Sequence, residues 1–215
     1  MRRPAAARGR APLSAERRRA LVAGALLVAS CREAPAREMR RIEGVNAEIR
    51  AIGLPRPPEP ALGAAFAAVT RLDGASADRA AVSLRAAGAR KGLVNLGGNH
   101  LVVFGEPVVV AVPDPADVST PRWASFSLTD GALARRRAEG GAAALTVVAG
   151  TAAEAEDVAA AAVSLAPDDA MALLARRGAA GVLQTREGAR RVVRATPGFA
   201  AARDLRAEEG VELRP

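Results

Sequence analysis

Residues 91–105, KGLVNLGGNHLVVFG, constrain the fold more than any other stretch. Leu93, Val94 and Leu96 form one short apolar run; Leu101, Val102, Val103 and Phe104 form another. Gly97-Gly98-Asn99 lies between them. Apolar runs of this length, bounded by Gly, predict two buried strands joined by a turn. The glycines reach φ > 0 freely and leave backbone N–H groups open to a phosphate or a ring. A Gly-Gly turn serves equally well as a plain strand–turn–strand, so a functional reading has to come from its surroundings.

Those surroundings alternate strands and helices. Val108–Val112 predicts a third strand, closed by Pro113-Asp114-Pro115. Residues 123–128 suggest a fourth, ahead of a turn at Asp130-Gly131, and residues 145–149 a further one. Residues 132–143, ALARRRAEGGAA, are ambiguous. Helices are expected over residues 61–71, 77–87 (capped by Ser76 and stopped at Gly88), 152–165 and 168–177. Residues 182–185 and 191–194 read as a closing hairpin across Glu187-Gly188. Residues 32–52 read as a helix, with Met39, Ile42, Val45 or Asn46, and Ile49 along one face. Four prolines in residues 55–60 make a stiff linker after it.

This grouping predicts an α+β fold: a mixed or antiparallel sheet with flanking helices in a single domain. The expected organisation is a leader over 1–30, a helix and Pro-rich linker over 31–60, a domain over 61–199 and a polar tail over 200–215. Half of the residues are apolar but only 2% are aromatic, so Ala and Val carry most of the packing.

The net charge of +8 is unevenly placed. Residues 1–50 hold 12 of the 31 basic groups and 5 of the 23 acidic ones, which leaves the rest of the chain nearly neutral. That body has no basic stripe interleaved with aromatics, which argues against nucleic acid as a partner.

The charge belongs to the leader. Arg2, Arg3, Arg8, Arg10, Arg17, Arg18 and Arg19 precede an apolar run over residues 20–30, too short to span a bilayer. It runs into Val28-Ala29-Ser30-Cys31, which is similar to the lipobox of bacterial lipoproteins. Cys31 is the sole cysteine, so no internal disulfide forms, and lipid attachment gives it a use. The expected location is the bacterial cell envelope, lipid-anchored at Cys31 or periplasmic. A buried N-terminal helix with an incidental cysteine fits the same residues, and the Arg triplet also permits a twin-arginine leader.

Chemistry is sparse. His100 is the sole histidine; with no second His or Cys there is no zinc set, and with no serine or cysteine nucleophile in a recognisable setting there is no Ser-His-Asp triad. It reads as an ordinary strand residue or as a catalytic group without a visible partner. Glu154, Glu156 and Asp157 cluster at a predicted helix start, where they favour the macrodipole or offer oxygens to a hard cation such as Mg²⁺.

Three stretches together resemble the FAD:protein FMN transferases, the ApbE or thiamine-biosynthesis lipoprotein family. Residues 77–88 running into Leu93-Val94-Asn95-Leu96-Gly97-Gly98-Asn99 are similar to its helix-to-strand segment. Residues 108–115 (VVVAVPDP) are similar to its next strand and Asp-Pro turn, and residues 145–167 to its strand–helix metal motif. The likeness covers roughly residues 73–185, and a lipobox leader suits the family. It implies FAD and Mg²⁺ as cofactors, and transfer of FMN from FAD to a Thr or Ser of an acceptor redox protein of the envelope. It also implies flavin contacts at Asp78, Asn95, Gly97, Gly98 and Asn99, and metal contacts at Glu156 and at position 160.

The departures fall on the site. The family's Gly-Gly-x-x-Lys-Gly-Tyr loop is replaced by Leu72-Asp73-Gly74-Ala75-Ser76. Its metal-binding Asp is Glu156 here, and its Thr four residues on is Ala160. Its Ala-Thr-Ser-Gly segment appears as Ala134-Arg135-Arg136-Arg137, and its His-rich Asp-Pro segment is deleted around residues 140–143. The resemblance therefore implies a shortened transferase with impaired catalysis. The alternatives are an active divergent enzyme, a non-catalytic flavin- or partner-binding lipoprotein, and an unrelated envelope lipoprotein.

If the leader reading holds, Cys31→Ala abolishes metabolic labelling by a radiolabelled fatty acid in a bacterial host. Unchanged labelling, or a cytosolic protein that keeps residues 1–30, excludes it.

Overall fold

The computed structural model describes residues 33–116 and 122–214. Residues 91–105 form the expected pair: β3 (Lys91–Leu96) and β4 (His100–Phe104) run antiparallel, with Leu96 opposite His100 across the turn. Their side chains alternate between two cores. Leu93, Leu101 and Val103 enter one, while Val94, Leu96, Val102 and Phe104 enter the other. Burial on both faces explains why these strands read as continuous apolar runs rather than as polar–apolar alternation.

They lie within a sheet that, among the described residues, has nine strands in the order β1-β2-β3-β4-β7-β8-β9-β10-β12. The remaining members are β1 (Ala36–Ile42), β2 (Val45–Ile52), β7 (Gly131–Arg137), β8 (Ala143–Ala149), β9 (Ala180–Glu187), β10 (Arg190–Ala195) and β12 (Val211–Arg214). All neighbours pair antiparallel except β10 and β12, which are parallel. A small second sheet, β11-β6-β5, combines β5 (Val108–Val112), β6 (Ala124–Leu128) and β11 (Arg206–Ala207). It packs on one face of the large sheet through Val110, Val112, Trp123, Phe126 and Leu128, together with Phe199 of the short helix α5 (Phe199–Arg203). The other face is covered by α1 (Glu59–Ala67), α2 (Gly74–Ala86), α3 (Ala152–Ala162) and α4 (Pro167–Arg176). The result is the expected α+β class, in three layers.

Two stretches differ from expectation. Residues 36–52 form the β1–β2 hairpin, not a helix, turning at Glu43-Gly44 with φ of 50° and 79°. The buried set there is Ala47, Ile49 and Ala51, a period of two set by pairing with β3. The helical spacing of Met39, Ile42 and Ile49 was coincidental; Met39 is exposed. The expected polar tail over 200–215 is, as far as residue 214, no free tail either. Most of α5, then β11 and β12, occupy it, and β12 closes the sheet edge. Arg214 of β12 donates to Glu187 at 3.0 Å, so ion pairing replaces the apolar signal that marks a central strand. The folded unit thus starts before residue 61 and extends past residue 199.

Asp114, in the Asp-Pro turn after β5, ties the two sheets together. It accepts from Trp123 Nε1 at 3.2 Å and from the Ala116 N–H at 2.8 Å, and it pairs with Arg186 of β9. Gln184 of β9 donates to the neighbouring Pro113 carbonyl. Burial disfavours the charged carboxylate. The Ala116 amide, the Arg186 charge and the Trp123 donor outweigh it, and the Asp114 pKa falls below the usual carboxylate value.

A folded-state pKa below the unfolded one contributes stability that is present above the unfolded value and lost as pH falls through the folded one. Asp114→Asn should therefore cost about 1.5–3 kcal/mol at pH 7, the range for a hydrogen bond to a charged group. The gap from wild type should narrow below about pH 4, where unfolded carboxylates protonate. Urea unfolding at neutral and acid pH reads both effects.

Candidate functional site

The site begins where the N-termini of α2 and α3 meet. Free amides at a helix start need acceptors, and negative charge is favourable there. Each helix has its own N-cap. Asp73 accepts from the Ser76 N–H at 2.8 Å, and Thr151 accepts from the Glu154 N–H at 3.2 Å. The cap of α2 is thus Asp73 rather than the expected Ser76, which sits inside the first turn.

The two helices also cap each other. Asp78 of α2 accepts from the amides of Ala152 and Ala153 at 2.9 and 3.0 Å. Glu156 of α3 accepts from the Gly74 amide at 2.7 Å. Only glycine allows this approach, because a Cβ at position 74 would lie 2.3 Å from the Ala152 carbonyl oxygen. Asp78 is therefore not placed as a flavin ligand. Both its oxygens are taken by backbone amides, and its role is to hold α3 against α2.

Above these helix ends lies a polar cleft of about 330 Å³, with Glu43, Arg71, Asp73, Asn99, His100, Arg135, Arg136 and Glu156 in its wall. The second Glu156 oxygen, Oε1, accepts from Arg136 at 2.6 Å. His100 is buried, and its Nε2 lies 3.3 Å from the same oxygen. Neither ring nitrogen is aligned for a hydrogen bond with any described residue. Ala160, one turn along α3, presents a methyl group.

This donor set does not fit magnesium. Mg²⁺ asks for near-octahedral oxygens at about 2.0–2.1 Å. Three carboxylates line the cleft: Glu43, on the exposed turn between β1 and β2, Asp73, and Glu156, whose two oxygens are engaged, one by a guanidinium and one by a helix amide. Asp73 is spent on its own helix. Among the described residues, no group of three or more His, Cys, Asp or Glu is gathered as a metal site.

A second cleft, of about 290 Å³, opens between the large sheet and β5. Leu93, Leu101, Leu133 and Val110 give it apolar walls, and Glu48, Arg50, Asn95 and Gly98 add polar groups. Arg135 lines both clefts. Its guanidinium donates to Thr146 Oγ1 at 3.2 Å, to the Gly98 carbonyl at 3.3 Å and to the Ala111 carbonyl at 2.7 Å. All three acceptors are neutral. Burial first, and the nearby Arg137 charge second, lower its pKa to about 10, so at neutral pH it remains a cation, and among the described residues its side-chain donors reach neutral acceptors.

The turn 97–99 works differently from expectation. Gly97 and Gly98 do have φ of 65° and 73°. Their amides are not open, however. Gly97 N–H donates to Asn46 O, Gly98 N–H to Asn95 Oδ1 and Asn99 N–H to Leu96 O. The turn therefore offers no ring of bare donors to a phosphate. Its carbonyls instead fix Arg135, through Gly98 O and through Asn99 O, which accepts the Arg135 amide at 2.8 Å. A Cβ at Gly98 would meet nothing within 4 Å, while one at Gly97 would lie 2.5 Å from Val45.

Of the residues singled out in the sequence, Asn99 and Glu156 line the polar cleft, and Asn95 and Gly98 line the apolar one. Cys31 lies outside the described residues. Arg135 and Arg136 were visible only as a departure from a motif. The available signal was an arginine run continuing the apolar strand Ala132-Leu133-Ala134.

Among solved structures, the chain is similar to the flavin transferase ApbE of Vibrio cholerae. Identity is 17%, 60% of this chain and 50% of that one are covered, and the TM-score is 0.51. It also matches the apo form of the flavinyl transferase ApbE of Pseudomonas stutzeri, at 19% identity over 66% of this chain and 52% of that one, with a TM-score of 0.48. The chain spans about half the length of these structures. The fold is ApbE-like. No protein-family profile matches the sequence, and no curated protein sequence does.

The mutual capping of α2 and α3 is testable apart from any ligand. Asp78→Ala removes two charge-assisted caps and should cost about 1–3 kcal/mol. Gly74→Ala forces the same helix ends apart, so the double variant should cost less than the sum of the singles by about 1 kcal/mol or more. Additive urea midpoints would show that the two contacts are independent.

Proposed function

We infer that this chain binds a flavin dinucleotide across the two clefts that Arg135 joins, and that its magnesium-dependent transfer of FMN is impaired. The observation that carries this reading is Arg135, a cation whose three side-chain acceptors among the described residues are all neutral, beside an apolar cleft. An apolar cavity with a few fixed polar groups suits an aromatic ring system. A guanidinium fork suits the oxygens of a pyrophosphate. The ring would rest against Leu93, Leu101 and Leu133, and the pyrophosphate would face Arg135. The ApbE-like fold, shared with the flavin transferase of Vibrio cholerae, supports flavin as the ligand class.

Impairment rests on Glu156. Cleavage of the FAD pyrophosphate with transfer of FMN to a Thr or Ser hydroxyl develops charge that is normally neutralised by a metal. Here the expected metal carboxylate is committed to Gly74 and Arg136, and position 160 has no oxygen. The residues present can bind and orient a dinucleotide and keep water from its apolar half. They do not assemble a magnesium cage. Lipid anchoring at Cys31 and an acceptor redox protein in the envelope complete the proposal.

Fluorescence titration with FAD and with riboflavin checks it. FAD should bind more tightly than riboflavin, and Arg135→Gln should weaken FAD by about tenfold, near the 1.4 kcal/mol of one charged contact. Arg135→Lys should retain part of the difference. An absence of flavin binding defeats the reading, and robust magnesium-dependent flavinylation of a Thr-containing acceptor peptide defeats the claim of impairment.

A further inference from the structure

Arg136 sits at the place where a cation is needed. Its guanidinium lies 2.6 Å from Glu156 Oε1, at the outer end of β7 and in the wall of the polar cleft. Only one of its five donors is engaged among the described residues, and the side chain is 46% exposed, so the rest of the fork is free to meet a ligand. Glu156 cannot turn towards a metal without giving up Gly74, because its other oxygen closes the α2–α3 contact. A divalent ion at Oε1 would also stand beside the Arg136 charge, with Arg71 and Arg135 in the same cleft against Glu43 and Asp73.

We propose that Arg136 is the resident cation of this cleft: it fills the seat beside Glu156 that a divalent ion would take, and offers a guanidinium in its place to the phosphates of an incoming ligand. Arg135 supplies the second positive group, from the opposite side of the same stretch of β7. The two differ in kind. Arg135 is fixed by three neutral acceptors, while Arg136 is held by one carboxylate oxygen and keeps its remaining donors. Phosphate binding here accordingly needs no metal. The phosphate half of the proposal rests on the reading of the cleft as a site for a phosphorylated ligand; the metal half does not.

The test uses the full chain, inorganic pyrophosphate and Mn²⁺ as a magnesium surrogate, read by calorimetry. Wild type should bind pyrophosphate equally with and without a chelator, and should show no saturable Mn²⁺ site. Arg136→Gln frees Glu156 Oε1, so a saturable Mn²⁺ site should appear, at least about tenfold tighter than the weakest affinity the wild-type titration could have detected, a difference of roughly 1.4 kcal/mol. The added change Glu156→Gln should remove that site while keeping an acceptor for Gly74. In chelator, Arg136→Gln should weaken pyrophosphate by about tenfold, and Arg136→Lys should restore part of it. Arg136 is half-exposed, and unchanged thermal unfolding of the variant verifies that the fold survives. Mn²⁺ binding by wild type as tight as by Arg136→Gln overturns the proposal, as does pyrophosphate binding that requires the metal. Metal-free pyrophosphate binding without FAD binding defeats the flavin reading and leaves the role of Arg136 standing. FAD binding that requires the metal does the reverse.

Discussion

The exchange of carboxylates between α2 and α3 is the contact on which the site depends. Asp78 reaches across to the first amides of α3, and Glu156 reaches back to the first amide of α2. All three bonds satisfy amides that no helix can satisfy for itself. The absence of a side chain at Gly74 is what lets the two ends meet. Once they have met, Glu156 has one oxygen left, and that oxygen faces Arg136 and His100. The chemistry open to the cleft is therefore set by a packing decision made beneath it.

The large sheet extends that decision to the second cleft. β7 lies between β4 and β8, with helices on one face and the small sheet on the other. Its outer end carries Arg135 and Arg136 on successive residues, and side chains on successive strand residues point to opposite faces. One guanidinium is threaded among the Gly98 and Ala111 carbonyls and the Thr146 hydroxyl, and the other meets Glu156. An arginine pair in a strand thus links a polar pocket over the helices to an apolar one under β5. The turn 97–99 serves as the anchor for Arg135, with its own donors already used.

Much of the fold was legible wherever local pattern and tertiary environment agree. Leu93 to Phe104 read as strands because burial on both faces leaves an uninterrupted apolar run. The helix expected over residues 152–165 starts where the sequence places it, at Ala152, and ends three residues earlier, at Ala162. Legibility failed where pairing or charge set the structure. The β1–β2 hairpin owes its period of two to β3, while its sequence also carries a helical spacing. β12 is held by its place beside β10 and by Arg214 on Glu187, neither of which leaves an apolar signature. At the site, Glu156 was visible as an important carboxylate, but Arg136 was visible only as a loss.

What the sequence determined by itself is the alternation of strands and helices, the glycines at the central turn and the set of polar groups from which a site could be made. Those follow from interactions within a few residues, which side-chain periodicity and backbone preference encode directly. What only the tertiary structure decided is the use of each polar group. Glu156 meets an amide 82 residues away and a guanidinium 20 residues away, and Asp78 meets amides 74 and 75 residues away. An isolated carboxylate reads equally as a metal ligand, a flavin contact or a helix cap. The choice among them is made by whichever donor the fold brings within hydrogen-bonding distance.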